Sequence, residues 1–290
     1  MRCTPVSEGC ANCWHLKMAN RLRGYYRNMP AERTNCYAKF QAYRGGDPWL
    51  NTKELSAPFS AKKPAVIGVQ FMGDLFHESL TDEQIAAVFG VMATTPQHQY
   101  VVLTKRLNRA LEWFNWIDGI RHPRYGEIEP SVECAFQLLR QAEPDGDGPI
   151  HCRYGPNPDA KWPLENAIIC ASAENQPTVD ARVPLLFQIP ARWRGVSVEP
   201  MLSSIELQRN RGWLSPFKET DAMLRRTPRL DIAICGAETG PGKRPFKDEW
   251  ALDLRDQCRE TGTPFFFKKD GAGKPTLCGV EYHEWIRGMR

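Results

Sequence analysis

The 290 residues carry 38 Lys and Arg against 34 Asp and Glu, a formal net charge of +4, with 42% hydrophobic and 25% charged residues. These are ordinary globular values, so disorder is not the default, and a chain of this length buries a sizeable core without disulfide staples. No apolar stretch reaches the length of a membrane span and the opening MRCTPVSEGC lacks a signal-peptide core, so a cytoplasmic protein without membrane association is expected.

The charge permits an anionic partner without demanding one. Lys and Arg are spread out, with short pairs at Lys62-Lys63, Arg225-Arg226 and Lys268-Lys269 rather than a basic stripe. The length suits two average domains or one undivided α/β barrel.

The first feature along the chain is chemical. Cys3, Cys10 and Cys13 form C-x6-C-x2-C, with Gly9 just before the second thiol. Thiolates three positions apart reach one metal centre from a tight turn, and the loop supplies the third. A closed structural site wants four ligands. Three on a cubane leave one iron open. The following WHLKMANRL looks helical, placing the loop at a helix N-terminus, where backbone N–H groups favour anionic ligands. A zinc site completed by Cys36 or His15 is the competing reading, weakened by the lack of a second C-x2-C pair. Cys170 and Cys235 lie in apolar runs and read as core residues. Cys36, Cys134, Cys152, Cys258 and Cys278 are scattered and carry no assignment.

Six apolar runs follow, at 66–71, 100–103, 167–170, 195–198, 231–235 and 264–267. Continuous apolar runs suit strands of a parallel sheet buried on both faces. Thr81-Asp82-Glu83-Gln84 opens a helix, with Thr81 as N-cap, and Asp248-Glu249-Trp250 opens another that stops at Gly262. Strand, helix, strand at this spacing is the βαβ pattern of an α/β fold. Residues 118–165, rich in Pro, Gly and Asp, read as an insertion or lid on a single domain spanning 1–290.

The strand ends resemble one another. Three finish as small residue, any residue, Glu: Ser172-Ala173-Glu174, Ser197-Val198-Glu199 and Gly236-Ala237-Glu238. The others finish with Met72-Gly73-Asp74, Thr104-Lys105-Arg106 and Lys268-Lys269. In a parallel barrel all strand ends face one mouth, so these groups are expected to converge. Helix capping accounts for any one carboxylate alone; six ends in succession favour a site.

With cysteines and strand ends in place, the chain resembles the phage Gp37/Gp68 family, a divergent branch of the radical S-adenosylmethionine (SAM) enzymes. The matching stretches are CTPVSEGCANC at the start, FMGDLFHE, VLTKRLNR, SAENQ, GVSVEPML, ICGAETG and LRDQCRETGTPFFFKKDG, covering nearly the whole chain except 118–165. The resemblance implies a partial (β/α) barrel with a [4Fe–4S] cluster on Cys3, Cys10 and Cys13 and SAM bound to the open iron. It also implies an electron donor such as flavodoxin or ferredoxin. Two departures stand out. Six residues separate the first two cysteines where most such enzymes have three, and Asn12 occupies a position usually aromatic, with Trp14 next door. The sequence begins two residues before Cys3, so the first barrel strand is expected to be missing or displaced.

On this resemblance, Gly73 and Asp74 are expected at the SAM methionine portion and Lys105 at its carboxylate. Ser172, Glu174, Asn175, Ser197 and Glu199 are expected at the cofactor, and Glu238 at ribose or substrate. Lys105, Glu199 and Glu238 are the catalytic candidates; Arg106, Lys268 and Lys269 are cations for a substrate anion. The chain looks like the isomerases of phage thymine hypermodification, acting in an infected bacterial cytoplasm on a modified thymine nucleotide in DNA. A radical pyrimidine lyase and a non-catalytic zinc-dependent nucleic-acid module are the alternatives.

Overall fold

All six apolar runs fold as strands. The computed structural model describes residues 3–15, 18, 52–119, 161–214 and 228–289. Its strands are β1 (Val66–Val69), β2 (Gln99–Thr104), β3 (Ala167–Ala173), β4 (Trp193–Val198), β5 (Ile232–Cys235) and β6 (Phe265–Phe267). They form one sheet in sequence order, every neighbouring pair parallel. Parallel neighbours need crossovers, and the longer helices supply several of them. Helix α1 (Asp82–Thr94) follows β1, α2 (Leu107–Gly119) follows β2, α3 (Gln176–Leu186) follows β3 and α4 (Asp248–Thr261) follows β5. The sheet curls into a half-barrel, the expected α/β architecture.

Helix ends follow their local chemistry. Thr81 caps α1 in a reciprocal box: its hydroxyl accepts from the Gln84 N–H at 3.3 Å, and the Gln84 side chain accepts from the Thr81 N–H at 3.0 Å. Such a cap contributes about 1 kcal/mol. Asn175 and Thr178 form the same box at the start of α3. Helix α4 stops at Gly262, which takes the left-handed conformation (φ 61°) that ends helices without a Cβ penalty.

The continuous apolar runs conceal a strict alternation. One face of each strand packs outward against the helices: Tyr100 and Val102, Ile169 and Ala171, Val196 and Val198, Ala233 and Cys235, Phe265 and Phe267. The opposite face fills the lumen. There Val101, Ile168, Cys170, Ile232 and Ile234 meet Ile286 and Met289 of the C-terminal segment, which plugs the N-terminal end of the half-barrel. Gln99 ties that plug in place, donating to the Met289 carbonyl at 2.8 Å and accepting from the Trp285 indole at 2.8 Å. Gly195 is required in the lumen, since an added Cβ would lie 2.7 Å from the Cys170 sulfur.

Burial on both faces holds for β3, β4 and β5 but not for β1, where Val66 is 57% exposed. The reason is position: β1 is an edge strand, paired only with β2 among the described residues. Most of the 118–165 segment lies outside the described residues, as do Cys36, Cys134, Cys152 and most of the helical stretch after Cys13. Among the described residues no helix is long and apolar enough to cross a membrane.

Candidate active site

Past the apolar lumen the strand ends open into a cavity of about 220 Å3, and the cysteine loop lies across it. The loop is built from tight turns. Ser7 precedes a single 3-10 turn, Glu8–Cys10, and the Cys10 N–H donates to the Ser7 carbonyl at 3.0 Å. The Cys13 N–H then donates to the Cys10 carbonyl at 3.2 Å. Cys3, Cys10 and Cys13 are all free thiols, partly exposed, and all line the cavity.

Three strand-end clamps hold this loop. In the first, Arg106 is buried after β2 and reaches Thr4, donating to its hydroxyl at 2.7 Å and its carbonyl at 3.0 Å. It also lies 3.8 Å from the Cys3 sulfur and pairs with Glu78. Asp74 organises this corner. One of its carboxylate oxygens accepts from the Phe76 N–H and the Thr104 hydroxyl; the other accepts from the Lys105 N–H and faces Arg106 at 3.5 Å. His77 completes it, its Nε2 within 3.0 Å of the Thr4 hydroxyl.

The second clamp is Glu174, 0% exposed. It accepts from the Gly9 N–H at 3.3 Å and pairs with Lys105 at 3.4 Å and Arg182 at 3.1 Å. The Lys105 ammonium also donates to the Ser7 hydroxyl and approaches the Cys10 sulfur at 3.7 Å. Asn175 caps α3 and donates to Glu8.

Glu238 makes the third clamp. Arg244 embraces its carboxylate through two nitrogens, at 2.7 and 3.1 Å, while Asn12 donates to it at 3.1 Å. Arg244 then donates to the Glu8 carbonyl. The Arg244 hydrogen bonds, acting against burial, pull the Glu238 carboxyl down to about 2.

The thiols differ electrostatically. Burial raises Cys3, and Arg106 only partly offsets it. At Cys10 burial also pushes upward, but backbone donors at Val6 and Ser7, the Lys105 charge and the Ser7 hydroxyl prevail, so its pKa is lowered.

The expected residues therefore divide. Asp74, Arg106, Glu174, Asn175 and Glu238 have their polar groups engaged by the chain itself, and grip the cysteine loop or its supports. Asp74, Lys105, Arg106 and Glu238 line the cavity as well, together with Gly73, Ser172, Ser197, Glu199, Lys268 and Lys269. Ser172 and Ser197 sit side by side in register on β3 and β4. Glu199 pairs with Lys268 at 2.8 Å and Lys269 at 3.5 Å, so both lysines expected to receive a substrate anion already meet a carboxylate of the chain. The alternation that puts Ser197 in the lumen puts Glu199 there too.

Sequence reasoning missed Thr4, Ser7, Glu8, Gln70, Phe71, Arg182 and Arg244, none of which stands in a recognisable spacing with its partner. Trp14, 48% exposed, lines the cavity and belongs to no core. His15 lines it too, buried, with neither ring nitrogen partnered among the described residues; burial lowers its pKa and favours the neutral imidazole.

Three thiols of one loop lining one cavity, two of them beside cationic side chains, suit a thiolate-bound metal cluster. Among the described residues no three His, Cys, Asp or Glu side chains, the three loop thiols included, stand together closely enough to hold a metal ion as placed. No curated protein and no solved structure matches the chain. A family model described as "Protein of unknown function (DUF5131)" matches residues 1–283, so the chain belongs to the DUF5131 family.

Proposed function

We propose that this protein is a radical SAM enzyme with a [4Fe–4S] cluster on Cys3, Cys10 and Cys13. The observation that carries the reading is the clamped loop: three thiols on the cavity at the C-terminal mouth of an all-parallel half-barrel. When bound and reduced, the cluster and SAM supply the 5′-deoxyadenosyl radical that abstracts a hydrogen atom from substrate.

The chain's own residues have distinct tasks in this reading. Lys105 favours the thiolate form of Cys10, and Arg106 offsets part of the burial that raises Cys3. Ser172 and Ser197 offer hydroxyls to the bound cofactor from the floor of the cavity. Gly73 leaves backbone accessible beside the loop. Glu199, Lys268 and Lys269 present both charge signs to a zwitterionic ligand or a substrate anion. The apolar lumen beneath, sealed by Ile286 and Met289, keeps water from the reacting atoms.

The substrate within this reading is a thymine in phage DNA bearing an amino-acid adduct, N-linked glycine on the base's methyl carbon, converted to an isomer of equal mass. The ordered family resemblance supports it, as does the pairing of carboxylate and lysines at the mouth. Flavodoxin or ferredoxin would deliver the electron, in the cytoplasm of the infected cell.

A zinc-dependent nucleic-acid module is favoured by one observation, the unpartnered nitrogens of His15 on the same cavity as Cys13. Anaerobic reconstitution separates the two. We expect four irons and four sulfides per chain, lost in Cys3→Ser, Cys10→Ser and Cys13→Ser but retained in Cys258→Ala, and 5′-deoxyadenosine on reduction with SAM. Stoichiometric zinc with negligible iron would overturn the radical reading. Deoxyadenosine without an isomer of the glycine adduct would point instead to a pyrimidine lyase.

A further inference from the structure

Among the described residues five large apolar side chains are exposed to solvent, and three of them, Val6, Trp14 and Phe71, line the cavity at the strand ends. Phe71, 42% exposed, is placed there by two local features. Gln70, immediately before it, takes φ 57°, a left-handed conformation that a side chain bearing a Cβ rarely adopts. The turn is locked by the Gly73 N–H donating to the Gln70 carbonyl at 2.9 Å. Gly68 then provides the shelf: a Cβ there would come within 2.5 Å of the Phe71 ring. A strained backbone that places an aromatic ring in a cavity, rather than in the core, is the pattern of a ligand contact.

The ring's surroundings identify what it takes. Lys268 lies 5.8 Å from the ring centroid. It comes from beyond β6, while Phe71 follows β1, so ring and cation face each other across the open side of the half-barrel. Lys269 and Glu199 stand beside them. A partly exposed aromatic ring with the Lys268 ammonium beside it, and Lys269 sharing the Glu199 carboxylate with Lys268, suits a planar ring whose anionic group would compete with Glu199 for the two lysines.

We infer that Phe71 is the stacking platform for one unstacked nucleobase of the substrate, with Lys268 and Lys269 receiving its anionic group. The inference rests on the reading that the substrate is a nucleotide and gives that reading a contact residue. A base inside a duplex cannot lie on Phe71, so the target is flipped out or single-stranded.

The test compares binding of a single-stranded oligo(dT) with that of an abasic oligonucleotide of equal length, by fluorescence anisotropy with reconstituted holoenzyme. Stacking is read as the preference for oligo(dT), expected at roughly 5-fold or more. Phe71→Trp should keep that preference. Phe71→Leu should abolish it, and so should Gly68→Ala, which displaces the ring while leaving Phe71 in the sequence. Iron content and melting temperature confirm that each variant is loaded and folded.

An undiminished preference in Phe71→Leu overturns the inference, and so does a wild type that binds both oligonucleotides equally or not at all. SAM affinity, measured on the same variants, distinguishes the ring's partner: a loss confined to SAM makes it the cofactor's adenine and also overturns the inference. Failure of the reconstituted wild type to cleave SAM would sink the radical reading, while the oligonucleotide preference, read without turnover and on unreconstituted protein should no iron be held, still decides the inference.

Discussion

The buried carboxylate of Glu174 accepts a hydrogen bond from the backbone N–H of Gly9, joining the end of β3 to the middle of the cysteine loop across 165 residues of sequence. The contact leaves no room for a side chain. A Cβ on Gly9 would lie 2.8 Å from the Lys105 ammonium and 2.9 Å from the Glu174 carboxyl carbon. Lysine can swing aside, but Glu174 is fixed by Gly9, Lys105 and Arg182. Gly9→Ala is therefore expected to cost about 1–3 kcal/mol by overpacking and to unseat the loop. Thermal melting reads the first effect, and iron content after anaerobic reconstitution reads the second. Unchanged values of both would show that the loop is not held from β3.

Asp74 is predicted to matter for stability before ligand binding. All its acceptor positions serve the chain, and it faces the buried Arg106 at 3.5 Å. Asp74→Ala removes a buried charge partner and should cost about 3 kcal/mol, the lower end for such a loss because Arg106 keeps Glu78. Denaturant unfolding measures it. A variant of wild-type stability that had lost only SAM affinity would return Asp74 to the ligand.

The Glu238 clamp has a pH signature. Its folded-state pKa lies near 2, below the ordinary value of 4.5, so the native protein favours the carboxylate. A depressed acid pKa contributes stability that is complete above the unfolded value and is lost as pH falls toward the folded one. Between about pH 4.5 and 2 the wild type should lose this contribution, and Glu238→Gln should show a flatter stability profile. Parallel profiles for the two proteins would remove Glu238 from the acid response.

Gly195→Ala tests the lumen independently of the site. The new methyl would press on the Cys170 sulfur at 2.7 Å and on Ile232 at 2.8 Å, with the Ile232 carbonyl 3.3 Å away. A melting point lowered by overpacking worth about 1–3 kcal/mol is expected. Full stability would show that the lumen packs more loosely than the structure has it.

The strands were legible because a parallel sheet buried on both faces writes itself as unbroken apolar runs, and all six runs became strands. The helix starts at Thr81 and Asp248 and the stop at Gly262 were equally plain, since caps depend on chemistry within one turn. The strand-end carboxylates were legible as a convergence and illegible as to purpose. Whether Glu174 and Glu238 await a ligand or hold a loop depends on Gly9, Arg182, Asn12 and Arg244, which lie far off in sequence or carry no periodic signal. Phe71 was hidden for a related reason: it sits in an apolar run that reads as strand, and only the turn at Gln70 removes it from the core.

Among the described residues each strand pairs only with its neighbours in the chain, so within the sheet the parts before and after residues 120–160 meet along the β2–β3 ladder, from Tyr100–Ala167 to Thr104–Ala171. A polypeptide cut between Gly119 and Lys161 would break no ladder pair among the described residues. Its first fragment would carry the thiols, Phe71, Lys105 and Arg106; its second would carry Ser172, Glu174, Glu199, Glu238 and the two lysines. Neither piece alone owns a complete cavity. Iron retention by two co-expressed fragments would therefore read their reunion at that ladder.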